Sequence, residues 1–152
     1  MNKSSINGEE YYSNPDVWSA GGVVIRNNRG NFEVILCERS SEDLVALPKG
    51  KPNEGESEPE TALREVKEET GITVKIIKKI KEIFYSFRSS ESTINKRVSF
   101  FLMEHTGGNI LEHDDEFDKV YWEQIDSALR KLTFQGEKDV LEEAIKLVKN
   151  SR

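Results

Sequence analysis

A chain of 152 residues, 36% apolar and 33% charged, suits one compact soluble domain with a sizeable core rather than two independent ones. Its formal net charge of −6 and pI of about 5.1 leave no overall electrostatic case for binding long nucleic acid. The single cysteine, Cys37, rules out an intramolecular disulfide and fits a reducing cytoplasm, and the most apolar run, Val98 to Met103, is far too short to span a bilayer.

Met1 to Asn14 is polar and acidic, with no apolar stretch of the kind a signal peptide carries. It reads as a loose lead-in whose Tyr11 and Tyr12 are candidates for docking on a single domain formed by residues 15–152. Ser19 to Arg26, rich in small and β-branched residues, predicts a strand; the turn cluster Asn27 to Asn31 and the apolar run Phe32 to Glu38 complete a hairpin. Cys37 lies in that second strand as a small buried hydrophobe. A short strand at Leu44 to Leu47 leads into a loop, Pro48 to Gly55.

The segment Glu58 to Thr70 predicts a helix bounded at both ends. Ser57 and Glu60 form a capping-box pattern, Pro59 sits in the first turn, and Gly71 supplies a left-handed end. Ala62, Leu63 and Val66 are its candidate buried face. Extended structure follows from Thr73 through Phe87, then a strand from Arg97 to Glu104, a polar acidic loop from His105 to Asp118, and a short strand at Lys119 to Trp122. Trp18 and Trp122 are assigned to packing on the sheet. Asp126 is the predicted cap of a short helix through Leu132, and a final amphipathic helix runs from about Gly136 to Lys149. The order predicts an α+β fold, with a mixed sheet flanked by helices and without internal repeats.

On the first helix, Glu65, Glu68 and Glu69 stand at i, i+3 and i+4, on one side of adjacent turns. Like charges at this spacing repel, and the helix C-terminus disfavours negative charge. The plain alternative is a solvated acidic face. A divalent cation would remove the repulsion, and an all-oxygen donor set suits Mg²⁺ or Mn²⁺ rather than zinc.

The surrounding residues favour the cation. Gly50, Glu56, Arg64-Glu65-Val66, Glu68-Glu69 and Gly71-Ile72 fill all nine fixed positions of a twenty-three-residue pattern, and through them the chain resembles the Nudix hydrolases. The resemblance extends from about Trp18 to the last helix. It implies an α/β/α sandwich around a central mixed sheet and hydrolysis of a nucleoside diphosphate linked to another group. It also implies Mg²⁺ or Mn²⁺ held by Glu65, Glu68 and Glu69 with the Gly50 carbonyl. Arg64 then orients the neighbouring glutamates, Glu56 joins the cluster or positions a ligand, and the general base is Glu69 or Glu116.

Within the family the chain is most similar to diadenosine polyphosphate hydrolases, on Leu47-Pro48-Lys49-Gly50, on Tyr85 thirteen residues beyond Ile72, and on Leu132-Thr133-Phe134. Lys51 stands where that branch commonly has His. Candidate substrate contacts are Lys49, Lys51, Tyr85 and, from the basic residues Arg88, Lys96 and Arg97, one or two. The expected partner is a nucleotide or dinucleoside polyphosphate. Rival readings are nucleoside triphosphates, nucleotide sugars, inositol pyrophosphates or RNA 5′ ends as substrates, and a non-catalytic nucleotide-binding Nudix domain.

Overall fold

The computed structural model describes residues Val17 to Asn150. The lead-in, with Tyr11 and Tyr12, lies outside the described residues. Strands β1 (Val17–Asn28), β2 (Asn31–Arg39), β3 (Leu44–Ala46) and β4 (Lys49–Gly50) precede helix α1 (Glu58–Thr70). Strands β5 (Ile72–Ser89), β6 (Ser92–Gly108) and β7 (Lys119–Gln124) and helices α2 (Ile125–Lys131) and α3 (Gln135–Asn150) complete the chain.

The strands form one seven-stranded mixed sheet in the order β3-β2-β1-β6-β5, with β4 on β1 and β7 on β2. Among the described residues only β1 and β6 run parallel; the other pairings are antiparallel. Both faces of the central strands are covered, so their apolar residues are continuous rather than alternating. Neighbours go to opposite layers: Val23, Leu36, Phe100 and Leu102 pack with Val140, Leu141 and Ala144 of α3. Val24, Ile35, Phe101 and Met103 pack with Ala62 and Val66 of α1. This α/β/α arrangement is the expected one, and Cys37 is fully buried in β2, where burial raises its thiol pKa. Among the described residues, no helix is long and apolar enough to cross a membrane.

Several boundaries differ from expectation. Lys49 and Gly50 leave the predicted loop to pair with Gly21 and Ala20, adding a strand just before the acidic helix. The extended segment is one 18-residue strand turning at Ser90 and Glu91 into β6, which starts five residues before Arg97 and absorbs His105 to Gly108. Ser90 takes φ of 53°, a left-handed conformation that carries no glycine signal in the sequence. Gln124, not Asp126, caps α2, its side chain accepting the Ser127 N–H at 3.1 Å.

Helix α1 ends as its sequence predicts. The Ser57 hydroxyl accepts the Glu60 N–H at 3.3 Å while the Glu60 carboxylate accepts the Ser57 N–H at 2.9 Å. Gly71, with φ of 77°, closes the last turn on the Lys67 carbonyl. Because the Ser57 hydroxyl satisfies a helix N–H that has no partner within the helix, Ser57→Ala is expected to cost about 1 kcal/mol in a denaturant titration. The buried face needs correction, however. Leu63 is 37% exposed, and the inward stripe runs through Ala62, Val66 and Glu69, at i, i+4 and i+7.

Candidate active site

Glu69 is the least exposed carboxylate of α1, at 1%. Its Oε1 accepts the backbone N–H of Lys49 at 3.1 Å, across the contact between α1 and β4. Burial, followed by the charge of Glu116 and then of Glu65, pushes its pKa up to about 9 against the help of Lys49. Glu65 is raised as well, chiefly by burial, and less by the charges of Glu68 and Glu116. Four carboxylates from two segments, Glu65, Glu68 and Glu69 of the helix and Glu116 of the loop, therefore press on one another's charge.

Glu116 is delivered by a loop stitched down along its length. Asn109 N–H bonds to the Gly71 carbonyl at 3.0 Å and Asp114 N–H to the Glu68 carbonyl at 2.9 Å. The Arg39 guanidinium grips the Glu116 carbonyl at 3.0 and 3.1 Å, and Asp118 accepts both the N–H and the hydroxyl of Ser40 at 2.8 Å.

Arg64 is the hub of the helix. Its Nε and Nη2 fork onto the two oxygens of Glu56 at 2.7 and 2.9 Å, and Nη2 also reaches the Lys51 carbonyl at 2.9 Å. Its Nη1 lies 3.2 Å from both Glu65 and Glu68. Glu56 accepts the Asn53 N–H and the Thr61 hydroxyl as well, and Arg64 foremost, then Asn53, lower its pKa to about 2. One guanidinium thus joins the loop before the helix to two of the three helix glutamates. Gly50 completes the join, because a Cβ there would collide with the Glu65 carboxylate. Only glycine lets that carboxylate lie against β4.

These residues border a cleft of about 310 Å³ lined by Gly50, Glu65, Glu69 and Glu116 on its acidic side and by Lys49, Lys51 and Lys96 on its basic side. Burial, then repulsion from Lys49 and Lys51, lowers the pKa of Lys96. Ser19, which carried no signal in the sequence, also lines the cleft; its buried hydroxyl makes no hydrogen bond among the described residues. An adjoining pocket of about 390 Å³ is lined by Phe84, Tyr85, Phe134 and Glu137, and Lys49 lines both spaces.

The other basic candidates are placed elsewhere. Arg97 is ion-paired to Glu58 at 2.7 Å at the start of α1 and faces the Trp18 ring, and Arg88 reaches Thr93 across the β5–β6 hairpin. Neither lines the cleft. Trp122 packs under Arg26, whose guanidinium lies 4.0 Å from the ring centre.

As the side chains lie, no three His, Cys, Asp or Glu groups among the described residues enclose an ion. The donor chemistry nonetheless fits a hard divalent cation. Carboxylate oxygens crowd one cleft, their proton affinities raised chiefly by burial and further by mutual repulsion, beside a glycine backbone that a side chain would obstruct.

The chain belongs to the Nudix family: the family model of the NUDIX domain matches residues 17–144. An 8-oxo-(d)GTP phosphatase of Mycolicibacterium smegmatis is 34% identical over 114 residues, covering 75% of this chain and 34% of its own length. An ADP-ribose pyrophosphatase of Bacillus subtilis is 33% identical over 119 residues, covering 72% of this chain and 61% of its own. The chain thus spans about a third of the first relative's length and less than two thirds of the second's. Among solved structures, an Ap4A hydrolase of C. elegans in a binary complex superposes with a TM-score of 0.75 at 24% identity, covering 88% of this chain and 98% of that one. The NUDIX domain of Shewanella oneidensis NrtR, complexed with ADP ribose, superposes with a TM-score of 0.66 at 19% identity over 94% and 99%. These two likenesses are of fold.

Proposed function

We propose that this chain is a metal-dependent pyrophosphohydrolase of nucleoside polyphosphates, with a dinucleoside polyphosphate such as a diadenosine polyphosphate as its preferred substrate. The observation that carries the reading is the union of two spaces at Lys49: an acidic cleft rimmed by lysines, and an aromatic pocket beside it. A nucleotide has the same two halves. Its base is flat and apolar on its faces, suited to Tyr85 and Phe134, which are 38% and 51% exposed. Its phosphates are anionic, suited to Lys49, Lys51 and Lys96. The length of the polyphosphate chain and the second nucleoside rest on the resemblance of Leu47 to Gly50, Tyr85 and Leu132 to Phe134.

Glu65, Glu68 and Glu69, with the Gly50 carbonyl, would hold Mg²⁺ or Mn²⁺. When bound, such an ion neutralises the polyphosphate and lowers the pKa of the attacking water. Arg64 fixes Glu65 and Glu68 from one side and the Lys49 backbone fixes Glu69 from the other. The water's proton passes to a cleft carboxylate, Glu69 or Glu116, while the lysines hold the phosphates in line. Substrate and chemistry fit a cytoplasmic enzyme.

The test is a panel of diadenosine polyphosphates, nucleotide sugars and nucleoside triphosphates, assayed with Mg²⁺ or Mn²⁺ in oxygen-18 water. The expected result is metal-dependent cleavage fastest on a diadenosine polyphosphate, with the label on one phosphate product. A triphosphate preference, which the 34% identity to an 8-oxo-(d)GTP phosphatase favours, would replace the substrate and keep the reaction. Absence of all hydrolysis with either metal would reject the enzyme.

A further inference from the structure

Glu137 is 2% exposed and belongs to no part of the motif that defines the family. It lies in the first turn of α3, in the layer opposite α1, and its two oxygens have different partners. Oε1 accepts the Leu47 N–H at 2.8 Å; Oε2 faces the Lys49 ammonium at 4.0 Å. Burial raises the Glu137 pKa, and Lys49 is the charge that opposes the rise.

The segment Leu47-Pro48-Lys49 is consequently held from both layers of the sandwich. The Leu47 N–H goes to Glu137 of α3, the Pro48 carbonyl accepts the Gly22 N–H at 3.1 Å, and the Lys49 N–H goes to Glu69 of α1. The backbone is fixed whichever way the Lys49 side chain points. That side chain has a choice of anions: Glu137 on one side, and the Glu65, Glu69 and Glu116 cluster on the other. A flexible ammonium drawn into the cluster would compete with a divalent cation for the same oxygens and would leave the seam between cleft and pocket.

We infer that Glu137 is a positioning residue: its buried carboxylate tethers the Lys49 ammonium at the seam, where it meets the phosphate next to the base, and keeps it off the carboxylate cluster. The inference rests on the proposed nucleotide site. It assigns the two oxygens separate tasks, and only that of Oε2 requires charge.

Glu137→Gln separates them, since the amide oxygen still accepts the Leu47 N–H while the charge facing Lys49 is gone. The variant is expected to keep its melting temperature within about 2 °C. Its KM for the nucleotide substrate should rise about 3- to 10-fold with kcat within about twofold, the size of a partly exposed charge pair. In a Lys49→Met background the same change should leave KM where Lys49→Met alone puts it. A purely structural glutamate predicts the same loss in both backgrounds, and that outcome overturns the tether, as does an unaltered KM in the single variant. The crystal structure of the Gln variant supplies a readout independent of catalysis. Lys49 Nζ is expected among Glu65, Glu69 and Glu116; Nζ still beside residue 137 overturns the tether whatever the chain hydrolyses. A wild-type chain without pyrophosphatase activity rejects the proposed function, and the crystal structure still decides the tether.

Discussion

Replacing Glu69 with Gln is expected to lower kcat about 10²–10⁴-fold while leaving the melting temperature unchanged or higher. The two halves of this expectation have one cause. Glu69 occupies the apolar stripe of α1, and its charge is opposed by burial and by Glu116 and Glu65, so that its pKa stands near 9. A neutral isostere still accepts the Lys49 N–H and has no charge to be neutralised on burial, so the folded state gains. The reaction loses, because an amide binds a hard divalent cation far more weakly than a carboxylate and takes no proton from water. Formation of the nucleotide products at saturating substrate measures the first effect and a melt followed by circular dichroism the second. Activity near wild type would remove Glu69 from the chemistry; a large fall in melting temperature would mean that the carboxylate serves the fold instead.

That contrast was partly legible in the residues. The spacing of Glu65, Glu68 and Glu69 marks a shared side of the helix, but their difference in burial follows from a second pattern, Ala62, Val66 and Glu69 at i, i+4 and i+7. Hydrophobicity alone points to a stripe through Leu63, which the fold leaves 37% exposed. At this helix the inward stripe carries a glutamate and the outward one a leucine. Such an inversion of the usual partition is costly unless the site uses the charge.

The fold was legible wherever local chemistry decides the structure. Ser57, Glu60 and Gly71 bound α1 by hydrogen bonds they make with their near neighbours, and the apolar run Val98 to Met103 announces a strand buried on both faces. Partners distant in the chain were not. Lys49 and Gly50 look like loop residues beside Pro48 and Pro52, and become β4 only because β1 lies alongside. The same holds at the site. Lys96, Arg97 and Arg88 are alike in the sequence, yet alternation along β6 and the carboxylate of Glu58 send Lys96 to the cleft and Arg97 away from it. Glu137 and Ser19 acquire meaning only from what the sheet brings beside them.

Arg64→Met is expected to lower the melting temperature at pH 7 by about 5–10 °C and to reduce turnover as well. The arginine joins Glu56, Glu65, Glu68 and the Lys51 carbonyl through one planar group, so its loss strands three carboxylates and a backbone oxygen together. Because the fork meets both oxygens of Glu56, Arg64→Lys should restore only part of the loss. The pH dependence has a definite sign. In the folded protein Glu56 titrates near 2, below its ordinary 4.5, so its contribution to stability is complete above about 4.5 and disappears as pH falls through 2. The gap between wild type and Arg64→Met should therefore be constant from neutrality down to about pH 5 and close progressively below it. Melting curves from pH 7 to pH 2 measure this directly. A gap that persists undiminished at pH 2 would place the arginine's contribution in packing of its side chain rather than in its hold on Glu56, and a variant melting like wild type at pH 7 would deny the hub altogether.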